Sequence, residues 1–175
     1  RFWDILMQNE KEGGHGERSG AVGVLESAMW DALAKSRDLP LWALLERDIG
    51  HLNDEATPAG QTVVYGSGGH YHSGKTDLTS VADETRITLD AGYAWFKLKV
   101  GGSSEAIDKA RIETAIEASG NPNLIAVDLN CAFGNINTGI SPQDIDNFFP
   151  RWVEEPVDPL DYRGLATAAE ALKCP

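Results

Sequence analysis

Apolar residues recur along the chain in two rhythms, and the change from one to the other falls near residue 60. From Ala21 to Arg37, the residues Val24, Leu25, Ala28, Met29, Ala32 and Leu33 return every three or four positions, the spacing of one helical face, with Trp30-Asp31 in the body of the helix. Pro40 opens a second, short helix through Leu45 that closes near Gly50. Before these helices, Asn9 to Ser19 is polar and glycine-bearing and reads as a loop able to reach a ligand. After them, His51 to Gly60 is polar, carries Pro58 and reads as a linker.

Beyond Gly60 short apolar runs alternate with longer amphipathic ones. Strands are expected at Gln61–Tyr65, Ala94–Val100, Leu124–Asp128 and Arg151–Glu154, and helices at Leu78–Ala91, Ser104–Ser119, Ser141–Phe149 and Asp161–Leu172. Four strand-helix units of this length imply an α/β fold, a parallel sheet with helices outside it. Right-handed crossovers allow either a doubly wound sheet or half of an eight-fold barrel, and periodicity does not choose between them.

The formal charge of −12 excludes a nucleic-acid partner, whose phosphates demand a basic face. No run of about 18 apolar residues exists, so no membrane span is expected. The two cysteines, Cys131 and Cys174, lack metal or redox spacing and read as free thiols of a reducing, cytoplasmic compartment.

Chemistry concentrates where the strands end. In Trp95-Phe96-Lys97-Leu98-Lys99-Val100-Gly101-Gly102, alternate residues share a face, so Phe96, Leu98 and Val100 turn to a helix layer while Lys97 and Lys99 point together to the other side. A solvated lysine face on an edge strand would give the same pattern. If the face is enclosed, mutual repulsion and burial both lower a lysine pKa toward the range in which a neutral amine takes a proton. The next two strands end at Asp128-Leu129-Asn130 and Glu154-Glu155-Pro156, and parallel strands bring such ends to one rim. A lone Asp128 could be a turn or capping residue, whereas paired acids closing an apolar strand gain little unless one meets a cation. The physical reading is Mg2+ held by oxygens of Asp128 and Glu154, with Lys99 as base, Lys97 beside it touching a substrate oxygen, and Asn130 hydrogen-bonding at the metal's edge.

This set, Lys97-x-Lys99, Asp128-x-Asn130 and Glu154-Glu155-Pro156, resembles the mandelate racemase group of the enolase superfamily, with Asp128 following Lys99 by 29 residues and Glu154 following Asp128 by 26. Trp30-Asp31 with Pro40-Leu41 is similar to that family's capping-domain helix, so the resemblance spans essentially the whole chain. It implies residues 1–60 as the helical part of an α+β capping domain and residues 61–175 as the first half of a TIM-type (β/α) barrel. It implies Mg2+ and a small hydroxy-carboxylate substrate whose α-proton is removed to a metal-stabilised enediolate, and a homo-oligomer when full length. It also assigns the metal to Glu154 rather than Glu155.

The loop Asn9-Glu10-Lys11 through Ser19, with Tyr65-Gly66-Ser67-Gly68-Gly69 and Val157-Asp158-Pro159-Leu160-Asp161-Tyr162, is similar to the D-tartrate dehydratase branch. That implies dehydration of tartrate or an acid sugar, with Lys11 reaching the substrate. Racemisation, epimerisation and cycloisomerisation share the same first step and stay open. The family requires a third carboxylate after the fifth strand and, in this branch, a histidine on a later strand. Neither occurs before Pro175, and no initiator methionine precedes Arg1, so the expectation is a fragment, inactive alone. Three other readings compete. Gly69-His70-Tyr71-His72-Ser73-Gly74-Lys75-Thr76 satisfies the P-loop pattern, with Asp128 as its magnesium partner. His70 and His72 form a zinc-type His-x-His pair. A non-catalytic scaffold that kept the barrel shape is the third.

Overall fold

A computed structural model describes residues 2–8, 16–49, 62–71, 78–133 and 140–175. Its contacts divide the chain into two compact units, Arg1–Thr62 and Val63–Pro175. The first unit is helical: α1 (Phe2–Leu6), α2 (Glu17–Ser36) and α3 (Leu41–Ile49). Helix α2 starts earlier than its apolar periodicity predicts, taking in Glu17, Arg18 and Ser19, which the composition assigns to a loop. The Ser19 side chain caps its own turn by donating to the Gly16 carbonyl at 2.9 Å. Within this unit α2 buries Val22 and Ala34, while Val24, Leu25, Met29 and Leu33 of the predicted core stripe are exposed. Leu44 of α3 is fully buried.

The second unit alternates strand and helix: β1 (Gly66–Gly68), α4 (Leu78–Asp90), β2 (Phe96–Lys99), α5 (Glu105–Ser119), β3 (Ile125–Asp128), α6 (Pro142–Asp146), β4 (Val153–Glu154) and α7 (Tyr162–Ala171). All neighbouring strands are parallel and lie in the order β1-β2-β3-β4. A doubly wound sheet would reverse its strand order partway; this one steps the same way each time, which is the order a barrel requires. The alternative that periodicity left open is thereby settled in favour of part of a barrel.

The first strand is displaced from its expected place. Gln61–Tyr65 was the apolar run, yet pairing with β2 falls on Gly66–Gly68, with Gly66 opposite Phe96 and Gly68 opposite Leu98. The displacement follows from space. A Cβ on Gly68 would lie 2.5 Å from a Glu84 carboxylate oxygen and 3.0 Å from the Phe96 ring, so a side chain at that strand position beneath α4 would have to push both aside. Val63 and Val64, apolar but outside the ladder, are exposed.

The core is what the sheet buries. Phe96, Leu98 and Val100 pack with Ile125, Val127 and Leu129, with Ile112 and Ala115 of α5, Val81 of α4, and Ala132, Ile140 and Ile145 beyond β3. Every residue of β3 is buried, the signature of a strand covered on both faces. The helix ends carry their own stop and start signals. Gly120 closes α5 in the left-handed region at φ 70°. Asp161 caps α7 by accepting from Gly164 N. Ser141 and Asp144 form a reciprocal capping box with Pro142 in the first turn of α6.

Asp144 also receives Lys109 of α5 at 2.6 Å, which ties the two helices. The hydrogen bond from Lys109, then those from Ser141, hold the Asp144 carboxyl at about 2. A depressed folded pKa means that the stabilisation is complete above the ordinary value of 3.8 and is lost as pH falls through about 2. In urea unfolding near neutral pH, Asp144→Asn should cost about 1 kcal/mol, the usual scale of a lost cap. The gap between wild type and variant should close as the pH approaches 2; a gap that is constant with pH would contradict this account.

Candidate active site

The parallel register aligns the charged strand ends. Lys99 lies opposite Asp128, and Asp128 lies opposite Glu154. Backbone bonds extend this alignment past the strands: Val100 N donates to Asp128 O at 2.9 Å, Leu129 N to Glu154 O at 3.0 Å and Cys131 N to Glu155 O at 2.7 Å. The side chains are thus delivered from three backbones that are bonded to one another at the point of delivery.

Lys97 and Lys99 share one face, opposite the buried Phe96 and Leu98, and neither is a solvated edge lysine. Lys97 Nζ bridges two acids, 2.9 Å from Glu154 Oε1 and 3.1 Å from Asp128 Oδ2. Lys99 Nζ lies 2.6 Å from the same Asp128 Oδ2. Asp128, 1% exposed, therefore carries two ammonium groups on one oxygen. Its other oxygen accepts from Asn130 N at 3.0 Å and from Asn130 Nδ2 at 2.7 Å. Asn130 adopts φ 44°, a left-handed turn that asparagine tolerates and that brings its amide back over Asp128. The same amide reaches Glu155 Oε2 at 3.0 Å.

This geometry corrects one expectation. The two amines were expected to depress each other's pKa; for Lys97 the direction is the reverse. Burial alone would lower it, but the hydrogen bonds to Glu154 and then to Asp128, together with their negative charge, outweigh that and hold its ammonium above the ordinary lysine value. The reason is stoichiometric: each amine is met by a carboxylate before it meets the other amine. Asp128 is shifted down in turn. Burial pushes it up, and the bonds from Lys99, Lys97 and Asn130 more than reverse that.

The structure brings Lys97, Lys99, Asp128, Asn130 and Glu154 into one cluster, in which Glu154 is reached by Lys97 rather than by Lys99. Lys11 lies outside the described residues, as do His15, His51 and His72. Sequence reasoning missed an aromatic wall beside the cluster. Tyr65 and Trp95 pack edge-on against Trp152 at 5.2 and 5.8 Å, and Lys97 Nζ stands 5.4 Å from the Tyr65 ring centre. Trp152 is two residues from Glu154 and so on the same side of the strand, a parity the sequence contains; Trp152 Nε1 also approaches Glu154 Oε2 at 3.4 Å.

Among the described residues no three His, Cys, Asp or Glu side chains converge as a metal site. Asp128 and Glu154 form a two-carboxylate set that already embraces one cation, the Lys97 ammonium. Two carboxylates of this kind suit a hard divalent ion such as Mg2+. The rival phosphate loop fits less well, because the Gly69 amide is taken by Glu84 Oε2 at 2.7 Å and the Tyr71 hydroxyl by Asp108. The rest of that loop lies outside the described residues. Cys131 and Cys174 are free thiols, and no described helix is long and apolar enough to cross a membrane.

Comparison with known proteins bears on the family and the fold. The profile of the enolase C-terminal domain-like family matches residues 80–175. The chain is 30% identical to the L-talarate/galactarate dehydratase of Salmonella typhimurium, over 99% of this chain and 41% of that protein. It is 27% identical to the arabinonate dehydratase of Saccharolobus solfataricus, over 99% of this chain and 44% of the relative. It therefore spans less than half the length of these two curated relatives. Among solved structures it is similar to a mandelate racemase/muconate lactonizing enzyme from a marine actinobacterium in complex with magnesium, with a TM-score of 0.59 and 28% identity over 99% of this chain and 44% of that one.

The ion pairing sets an accessible test. At pH 8, acylation of Lys97 should run at least about tenfold slower than that of the exposed Lys35 and Lys173, because a raised pKa leaves less neutral amine and burial blocks approach. Glu154→Gln should speed it. Equal rates by peptide mass spectrometry would show Lys97 free of its carboxylates.

Proposed function

The chain belongs to the enolase C-terminal domain-like family, and on that premise we propose that it supplies one side of the active site of a Mg2+-dependent lyase that dehydrates acid sugars. The observation that carries the reading is the pair of carboxylates, Asp128 and Glu154, brought across adjacent strands around a cation with Lys99 2.6 Å from the same buried acid. The dehydratase names of the relatives support the reaction class, and the magnesium complex of the actinobacterial protein supports the ion. In this reading residues 1–60 belong to a capping domain and residues 61–175 to the first half of the barrel.

Asp128 and Glu154 would hold the Mg2+, and Asn130 keeps Asp128 oriented by occupying the oxygen that the lysines leave free. The ion supplies positive charge for a substrate carboxylate whose negative charge grows as its α-proton leaves. Lys99 would be the base that takes that proton; the C–H electron pair passes into the substrate's π-system, and the β-hydroxyl leaves as water on a proton given by an acid from the remainder of the barrel. Lys97, held protonated by its acids, donates a hydrogen bond to a substrate oxygen. The Tyr65 ring stands beside the Lys97 amine, with the Trp152 ring packed edge-on against it.

The full-length protein should release water from hexarates or from five- and six-carbon aldonates, giving 2-keto-3-deoxy acids, only with Mg2+ present. Lys99→Ala should lower kcat by about 10³-fold, within the usual range for losing a general base. Asp128→Asn and Glu154→Gln should raise the Mg2+ concentration needed. Unaltered turnover in Lys99→Ala would remove the proposed base.

A further inference from the structure

A second polar network lies on the helix side of the same strand ends, and the reaction chemistry makes no use of it. Its two charges are deeply buried on α5: Asp108 is 0% exposed and Arg111 is 3% exposed. Arg111 Nη2 donates to the carbonyl of Gly69 and, at 3.3 Å, to the carbonyl of Lys99. Its guanidinium lies 4.2 Å from the centre of the Tyr71 ring. The Tyr71 hydroxyl donates to Asp108 Oδ1, and the other oxygen, Oδ2, accepts from Gly101 N at 3.0 Å. One turn of α5 therefore grips the exits of β1 and β2 on both sides of Lys99.

The glycines of the β2 exit fit the same device. Gly101 sits at φ 90°, where a side chain is strained, and a Cβ there would run into Ala132 past the end of β3. A Cβ on Gly102 would press on the Tyr71 ring at 2.7 Å. Two buried charges are a costly way to fill a core position that an apolar residue could fill. The cost is visible in Arg111 Nε, a buried donor with no partner among the described residues. What the guanidinium obtains in exchange is a pair of carbonyls from two different strand exits, one of them that of Lys99.

We infer that Arg111 and Asp108, with Tyr71 between them, are positioning residues that fix the backbone of Lys99 and so aim its amine at the substrate. The inference rests on the assignment of Lys99 as base. An amine on a four-carbon stem has freedom of its own, and an error of about 1 Å in placing a reacting group can cost on the order of 100-fold in rate.

The test uses the full-length protein, with turnover expressed per folded, Mg2+-binding molecule. Arg111→Met should lower kcat about tenfold or more while KM and Mg2+ affinity stay within about twofold, the pattern of a lost transition-state contribution rather than lost binding. The isotope effect on kcat with α-deuterated substrate should rise, because proton removal becomes slower than the steps around it; a purely stabilising residue would not change it. Asp108→Asn, which keeps a carbonyl acceptor, should retain most activity, and Asp108→Ala should follow Arg111→Met.

If Arg111→Met does not fold, Tyr71→Phe decides. A kcat lowered by about threefold, the scale of one lost hydrogen bond, supports the device, and wild-type kcat and isotope effect overturn it. Lys99→Ala separates the two levels. Its inactivity beside an unaffected Arg111→Met would reject the positioning role alone, whereas its full activity would reject the base on which that role rests.

Discussion

The structure turns on one constraint: a carboxylate, Asp128, sealed from water at the end of a fully buried strand. A lone ionised acid in such a place is too expensive to keep, so the strand end is tenable only while cations and donors meet it. Lys97 and Lys99 from one neighbouring strand and Asn130 from its own exit do so, and Glu154 from the other neighbour balances the second lysine. The cluster holds two amines and two acids. Its charges cancel locally even though the chain as a whole is strongly acidic.

Register is what makes that balance possible. Phe96 pairs with Ile125 and Leu98 with Val127, and these apolar residues leave no choice of face. A slip of one residue would send Lys97 and Lys99 into the helix layer and Leu98 into the polar rim. The hydrophobic core thus sets the polar geometry, while the polar cluster contributes a penalty against any other register. The same logic runs on the helix side, where Asp108 and Arg111 bind main chain rather than each other and join the exits of β1 and β2. The lysine-bearing strand end is held from both faces.

Much of this was legible in one dimension. The alternation of four strands with four helices, the parity that puts Lys97 and Lys99 together, and the acids closing the next two strands are local properties, readable because side-chain direction follows residue number within a strand. Other features were not local. The apolar run before Tyr65 looks more like a strand than Gly66–Gly68 does, and only the closeness of α4 and Phe96 explains why glycines occupy the ladder. The stripe on α2 is periodic, yet among the described residues of that helix only Val22 and Ala34, neither of them in the stripe, are buried. Asp108 and Arg111 look like ordinary charges of an amphipathic helix, because nothing in sequence says that carbonyls twelve and forty-two residues away will come to meet Arg111, or a hydroxyl thirty-seven away Asp108.

The amino-acid order by itself therefore determined the alternation of strands and helices after residue 60, their parallel arrangement and the list of charged groups at the strand ends, since each of these depends on spacing along the backbone. The tertiary structure alone decided the strand order that distinguishes a barrel from a doubly wound sheet, and it decided which acid meets which amine. It also reversed the direction of the Lys97 shift: repulsion between two lysines can be read from their separation in the chain, whereas the attraction that overrides it comes from Asp128 and Glu154, residues that only folding brings within 3.1 Å.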